Sequence, residues 1–354
     1  MGISVISRTL SLFVLAGTIV GLSSLGWAQG FAPPGTHGTG LESLGDVVQF
    51  PGRDQGYSAS VELLWLRPSS SKLLYAVKGP AAGGGVVGTL EGFKPGRDLG
   101  FRLSSVAPMG YPGSAVEVHY SHLTSHQEVS KERGAGEIWG LLIHANAPVD
   151  DNNVTELLAS TSFALRQGAV GSKVSFRFGS GGNLHLSAGV QFTHLNQGLS
   201  VKYFDSNDEE RVEVFRENTL TGAGPRFILG TSWRMGAVNL YGAIGTALLV
   251  GRLSGNGRET DFFNGGRSFE RVNVDMAYGI RIVPTLSAKL GVDCGYQADW
   301  GSVGLYGGYE VHNYFSAVSY YEFYDDVDAQ IGANDQSDIG IDGFFLGCKM
   351  GCRF

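Results

Sequence analysis

The sequence predicts an all-β fold: a transmembrane antiparallel β-barrel of about 12 strands, with short turns on the side of the termini and long loops on the other. Three observations carry this. The last eleven residues alternate, with Phe344, Leu346, Cys348, Met350, Cys352 and Phe354 apolar and Gly347, Lys349, Gly351 and Arg353 between them small or charged. Phe345 is the one apolar residue on that second face. Successive strand side chains point to opposite faces, and eleven residues is the length of a tilted strand that crosses a bilayer. After Leu25 no apolar run approaches the ~20 residues of a spanning helix, so a membrane protein built from this chain must be a closed barrel. Finally, segments with the same alternation recur along the chain, separated in turn by short and by long polar connections.

The N-terminus sets the compartment. Arg8, an apolar run from Leu10 to Leu25 and then Gly26-Trp27-Ala28 read as the three regions of a secretory signal. Residues 1–28 are expected to be removed on export, 29–56 to form an irregular periplasmic lead-in, and 57–354 to form the barrel in the outer membrane.

Composition excludes several classes. Without the signal, whose one charge is Arg8, the chain has 25 Lys+Arg against 33 Asp+Glu, a net of −8 with no basic patch, so nucleic acid is not an expected partner. Gly is 54 of 354 residues, about twice the ~7% of ordinary usage, and falls within strand-like runs and tight turns. Cys348 and Cys352, four apart on one strand, would stand ~13 Å apart, beyond disulfide reach. They and Cys294 read as small apolar residues rather than zinc ligands, since no His is adjacent. The Gly83-Gly84-Gly85 run lacks the Gly-Lys-Ser/Thr ending of a phosphate cradle. No cofactor and no metal is expected.

In chain order, strand one alternates Tyr57, Ala59, Val61, Leu63 and Trp65 against Ser58, Ser60, Glu62, Leu64 and Leu66. Strands two and three place Leu99, Phe101 and Leu103, then Val116, Val118 and Tyr120, outward. The parity of 157–178 is odd around Phe163 and Leu165 and even around Val174 and Phe176, which suggests one strand with a bulge near Gly168–Gly171. Further strands are read at 184–192, 224–234, 238–251, 271–282, 286–297, 303–311, about 314–323 and the C-terminus. Long loops are expected at 67–96, 124–156, 195–218, 252–270 and 325–338, and a short turn at Val283-Pro284-Thr285. Every short turn then lies with the termini, except that the brief Asp299-Trp300-Gly301-Ser302 connection falls on the wrong side.

Four stretches add a resemblance. "SASVELLWLRPSSSKLLYAV" (58–77), "GAGPRFILGTSWRMGAVNLYGAIGTALLVG" (222–251), "LYGGYEV" (305–311) and "GIDGFFLG" (340–347) resemble the Legionella-type major outer membrane protein family of pore-forming barrels. The similarity spans essentially the whole exported chain through short dispersed patterns. It implies an outer-membrane pore for passive diffusion of small hydrophilic solutes or ions, and it carries over no catalytic motif.

The inward face supplies the candidate pore lining: Glu62, Arg102, Glu117, Arg226, Arg271, Asp275, Arg281, Lys289 and Asp293. With Arg166, Arg177, Arg234, Lys349 and Arg353 on one side and Asp98 and Glu310 on the other, ten basic groups face six acidic ones, which predicts a mildly cationic lumen. Phe344, Leu346, Met350 and Phe354 are the candidate C-terminal signal for insertion. The chain is not expected to be an enzyme; the rival hydrolase reading rests on His119, Ser121, His122, Ser125 and His126. A structural or adhesive barrel working through its outer loops is the other alternative. Asp326-Val327-Asp328-Ala329-Gln330-Ile331 lacks the glycine of a calcium loop and reads as a solvated acidic rim. The expected partners are outer-membrane lipids, the barrel-assembly machinery and the solutes themselves, and a homo-oligomer stays open beside a monomer.

Overall fold

The structure, a computed structural model, describes residues 48–49 and most of 56–352; the longest stretches outside that description are 1–47, 143–155 and 324–331. The signal, most of the lead-in, the acidic rim motif and Phe354 therefore lie outside the described residues. Ten long strands form the wall: β1 Tyr57–Ser70, β2 Asp98–Pro108, β3 Ser114–Glu132, β4 Glu156–Phe178, β5 Gly182–Phe204, β6 Glu210–Met235, β7 Val238–Phe263, β8 Arg267–Ala298, β9 Gly301–Phe323 and β10 Gly332–Cys352. Each pairs antiparallel with the next, and β10 pairs back onto β1 to close the barrel. Closure removes the sheet edges that lipid cannot hydrogen-bond.

The outward residues are those the alternation predicts. Leu63, Leu99, Leu229, Ile244, Leu290, Leu305 and Leu346 are all exposed, which in a barrel of this type means facing lipid. Phe344 and Met350 share that face. An aromatic belt marks its upper edge. Arg97 stands 5.7 Å over the Trp65 ring and 5.1 Å over Phe344, Trp65 Nε1 donates to the Arg97 carbonyl at 3.1 Å, and Arg67 and the Tyr309 hydroxyl both donate to Asp342. Amphipathic rings and paired charges belong at that depth, where apolar and aqueous surroundings meet.

Among the described residues the wall has ten strands, close to the expected 12 or so, because two expected breaks are not breaks. Val283, Pro284 and Thr285 stay in β8, opposite Leu249, Leu248 and Ala247 of β7. The ladder from β8 to β9 ends beside Pro284, at Thr285 opposite Tyr314, and a proline without an N–H is tolerated where one edge of a strand is free. Likewise β9 runs unbroken from Gly301 through His312 and Asn313. With ten strands the 299–300 connection joins the other short turns at the termini, and the exception in the loop pattern disappears.

Two of the expected loops, 195–218 and 252–270, are largely strand, and 124–156 is strand at its start. The β5–β6 hairpin continues to Phe204 and Glu210, β3 to Glu132, and β7 and β8 to Phe263 and Arg267. Beyond the belt the apolar side of each strand is the inside of the barrel. Leu199, Val201, Tyr203, Val212 and Val214 pack beneath the 73–93 segment, whose strands Leu74–Lys78 and Thr89–Gly92 form a small sheet with Ile138–Gly140. The Tyr203 hydroxyl fastens it by donating to the Tyr75 carbonyl at 2.9 Å. The same inversion explains β4. Its register with both neighbours is continuous through 168–171, so there is no bulge. Phe163 and Leu165 face a buried core, while Val174 lies on the opposite face, further down the strand.

A charge set among the outward side chains tests this assignment. Leu290→Arg should cost about 2–4 kcal/mol, the scale for a cation at mid-bilayer depth on a barrel's lipid face, whereas Leu90→Arg, exposed on the small sheet, should stay within ~0.5 kcal/mol. Urea unfolding in lipid vesicles measures both, and equal losses would mean that the faces are misassigned.

Candidate functional site

The lumen has two unlike halves. The proximal half, at the end with the short turns, is polar and hollow. A 430 Å³ cavity reaches from Ser58, Ser232 and Asn239 up to Glu62 and Lys289, and a second of 190 Å³ continues past Arg102, Glu117 and Arg226.

Cross-strand register places the charges between them. Glu62 sits opposite Arg102 on the β1–β2 ladder, and Lys289 opposite Glu310 on the β8–β9 ladder. β10, which separates β1 from β9, contributes Gly347 opposite both Glu62 and Tyr306. A Cβ at Gly347 would lie 2.6 Å from the Tyr306 ring, so only glycine leaves that row bare. The two pairs can then meet across it. Arg102 donates to Glu62 at 2.6 Å, to Glu310 at 2.7 and 2.8 Å, and to Ser121 at 3.0 Å. Lys289 reaches Glu62 at 2.8 Å and lies 3.9 Å over the Phe345 ring, and Tyr306 adds a bond to Glu62 at 3.0 Å. Phe345, on the inner face of the last strand, thus seats a cation.

A second constellation stands on the next inward rung of the β2–β3 ladder. The His119 ring Nδ1 is 2.9 Å from Ser104 Oγ, its Nε2 is 3.5 Å from Glu117, and Ser187 donates to Glu117. Ser, His and Glu in this order suit proton transfer from a hydroxyl. All three sit in β-ladders, where backbone N–H groups are committed to neighbouring strands, so among the described residues these ladders offer Ser104 no free backbone donor. Ser121, a hydrolase candidate in the sequence, instead accepts from Arg102.

The distal half is closed by apolar packing. Leu64, Leu66, Leu123, Phe163, Leu195, Leu249, Leu253, Val283 and Ile341 form a buried cluster inside the wall, and β9 completes it. Between Tyr314 and Val318 the β9–β10 register slips, and Ser316 takes a left-handed φ of 52°. From there β9 leaves its neighbour β8 and packs against β6 and β7. Ala317, Val318 and Ser319 have no exposed surface, the Ser319 amide donates to the Asn218 side-chain oxygen at 3.2 Å, and the Tyr314 hydroxyl donates to Gln167 at 3.2 Å.

Of the predicted lining, Glu62, Arg102, Glu117, Arg226, Lys289 and Asp293 line the two cavities. Three do not. Asp275 is exposed and bonded to Asn256, because an extra residue near Gly279, at φ +76°, flips the parity of β8. Arg271 sits at a further register shift, 2.5 Å from the fully buried Asp261. Arg281 keeps the inward register opposite Gly251 but lies beyond the last β8–β9 pair. Arg166 is exposed on the outer face, level with His122 and His194. Lys173, His185, Tyr241 and Tyr306 line the chamber without having been singled out. Inward parity was the available signal for them, and the supposed bulge in β4 is what put Arg166 on the inner face.

Comparison with known proteins gives one family. The model described as Legionella pneumophila major outer membrane protein precursor matches residues 49–352. No curated protein matches. Among solved structures, the Escherichia coli outer membrane protease OmpT aligns at 11% identity and a TM-score of 0.42, over 85% of this chain and 98% of that one. The Pseudomonas putida toluene transporter TodX aligns at 8% identity and TM-score 0.21, over 84% and 90%, and a Pseudomonas aeruginosa FadL homologue at 9% and 0.24, over 85% and 91%.

The charge network has a mechanical consequence. Arg102→Met leaves Glu62 and Glu310 facing each other in a poorly hydrated site, and should cost about 3–5 kcal/mol in urea unfolding. Adding Glu310→Gln should restore part of the loss. A double variant as unstable as the single one would mean that the two acids are not coupled through Arg102.

Proposed function

The chain belongs to the family of the Legionella pneumophila major outer membrane protein, and from that premise we propose that it is an outer-membrane channel for small hydrophilic solutes and ions, closed in the conformation described above. The proximal chamber faces the periplasm, and the distal end faces the outside. The polar, hollow proximal lumen carries this reading: a barrel that merely anchored surface loops would have no need of a 430 Å³ chamber lined by charged groups.

Closure comes from β9. Its segment beyond Tyr314 occupies the lumen, while the β9-facing edge of β8 beyond Thr285 is left without a ladder partner there. These are complementary. Extending the register would set Ile282 opposite Ala317, returning β9 to the wall and vacating the space it fills. The exchange trades buried apolar contacts and the Asn218 bond for ladder hydrogen bonds, so each state offers its own set of favourable interactions.

The test is single-channel conductance in planar bilayers with Cys294, Cys348 and Cys352 replaced by Ser. Asn218→Cys/Ser319→Cys, oxidised or cross-linked, should hold β9 in the lumen and suppress conductance, with recovery on reduction. Ile282→Cys/Ala317→Cys should hold the wall shut and raise the open fraction at least severalfold. Conductance absent from every form would end the channel reading; conductance indifferent to both locks would leave a channel without this gate.

A further inference from the structure

We propose that the proximal chamber holds a site for a small soluble oxyanion, a phosphate or a compact carboxylate, between Lys173 and Arg226. This rests on the channel reading for its purpose but on separate observations for its existence.

The first is an imbalance in hydrogen-bonding groups. The acids that line the cavities are all engaged: Glu62 and Glu310 by Arg102, Asp293 by Lys349 at 2.7 Å and Asn239 at 3.2 Å, and Glu117 by Ser187 and His119. The groups left over are donors. Among the described residues neither the Lys173 ammonium nor the Arg226 guanidinium has a hydrogen bond or an ion pair, and the Tyr241 hydroxyl on the chamber wall is buried without a partner. Lys173 and Tyr241 line the larger cavity and Arg226 the smaller, and the two adjoin at Glu117 and Ile228, so these donors border one polar space that calls for an acceptor. Two are cationic, so the fitting acceptor is anionic.

The second is a bare strip of wall. Glu117 of β3, Gly171 of β4, Gly189 of β5 and Arg226 of β6 occupy one continuous row of the sheet. The two glycines are obligatory: a Cβ at Gly189 would lie 2.2 Å from the Val170 carbonyl oxygen and one at Gly171 2.7 Å from that of Ala188. Nothing therefore projects between Arg226 and Glu117. Lys173, opposite Ser187 in the next inward row, borders the same recess from below. Glu117 stands at the far end of the strip with its oxygens taken up by Ser187 and His119, so it sets the limit of the recess rather than filling it. The cavity runs to the proximal end between polar residues such as Ser58, Ser232 and Asn239. That route suits a dissolved anion and offers nothing to a lipid tail.

Equilibrium binding tests the site without relying on conductance. Titrating inorganic phosphate, and separately succinate, into the folded protein in detergent should give saturable binding by calorimetry. Lys173→Gln and Arg226→Gln should each weaken it about tenfold or more, and Tyr241→Phe a few-fold. Lys349→Gln, whose ammonium is committed to Asp293, should change it less than twofold. Thermal unfolding verifies that each variant is folded. No saturable binding by wild type, or binding that survives loss of both Lys173 and Arg226, overturns the site. Binding in a protein that never conducts would sink the channel reading and leave the site standing.

Discussion

The constraint on which the rest depends is that a backbone in lipid must find all its hydrogen-bond partners in its own wall. Closing ten strands meets it, and closure then dictates that side chains alternate between lipid and lumen along every strand. The lumen follows from this. Ten strands enclose more than the side-chain-filled interior of eight and much less than the water channel of sixteen. The protein fills the distal half with leucines and leaves the proximal half hollow. One departure from full pairing, β8 beyond Thr285, coincides with the strand that bends inward. Defect and plug are two aspects of the same event.

Arg102 makes the charged middle tolerable. A lone carboxylate in such surroundings would be costly, and two facing each other more so. A guanidinium presents a planar fork that satisfies both at once, which an ammonium does not. Lys289 and Tyr306 take up the remaining capacity of Glu62, and His312 lies 3.3 Å from Glu310. The network joins β1, β2, β8 and β9 on both sides of β10, so it braces the region where the C-terminal strand closes on the first. It also alters the meaning of the inward charges. An excess of arginines in the sequence suggests a cationic lumen, but Arg102 is fully used by its two acids, and only groups such as Lys173 and Arg226 remain to act on a solute.

The fold was legible because lipid enforces strict alternation. Leu286 to Cys294 on one face, against Ser287 to Asp293 on the other, admits one reading, and the structure keeps it. Legibility fails above the belt, where solvent lies outside the barrel and the apolar face turns inward. Leu199, Val201 and Tyr203 alternate as regularly as any membrane segment, yet with the opposite sense, and so resemble loop when a lipid face is sought. Prolines misled for a related reason. Pro284 looks like a turn because strands rarely hold one, and its place beside an abandoned edge is a property of β9, thirty residues on. The site was half legible. Parity identifies which residues point inward, but only the register across several strands shows that Glu62, Arg102 and Glu310 are one group.

That limit bears on how such barrels differ from one another. The wall accepts many sequences, since any apolar side chain faces lipid adequately, so short dispersed patterns are all that relatives need to share. In this chain the placement of glycines shapes the lumen. Gly347 lets Glu62 and Tyr306 meet, and Gly171 with Gly189 clears a strip between Glu117 and Arg226. A missing side chain contributes nothing to a charge count or a hydropathy profile, yet at these rows it decides which charges pair and which stay available. At Gly189 a Cβ would lie 2.2 Å from the Val170 carbonyl oxygen, so the bare strip and the close approach of the strands that form it depend on the same residues.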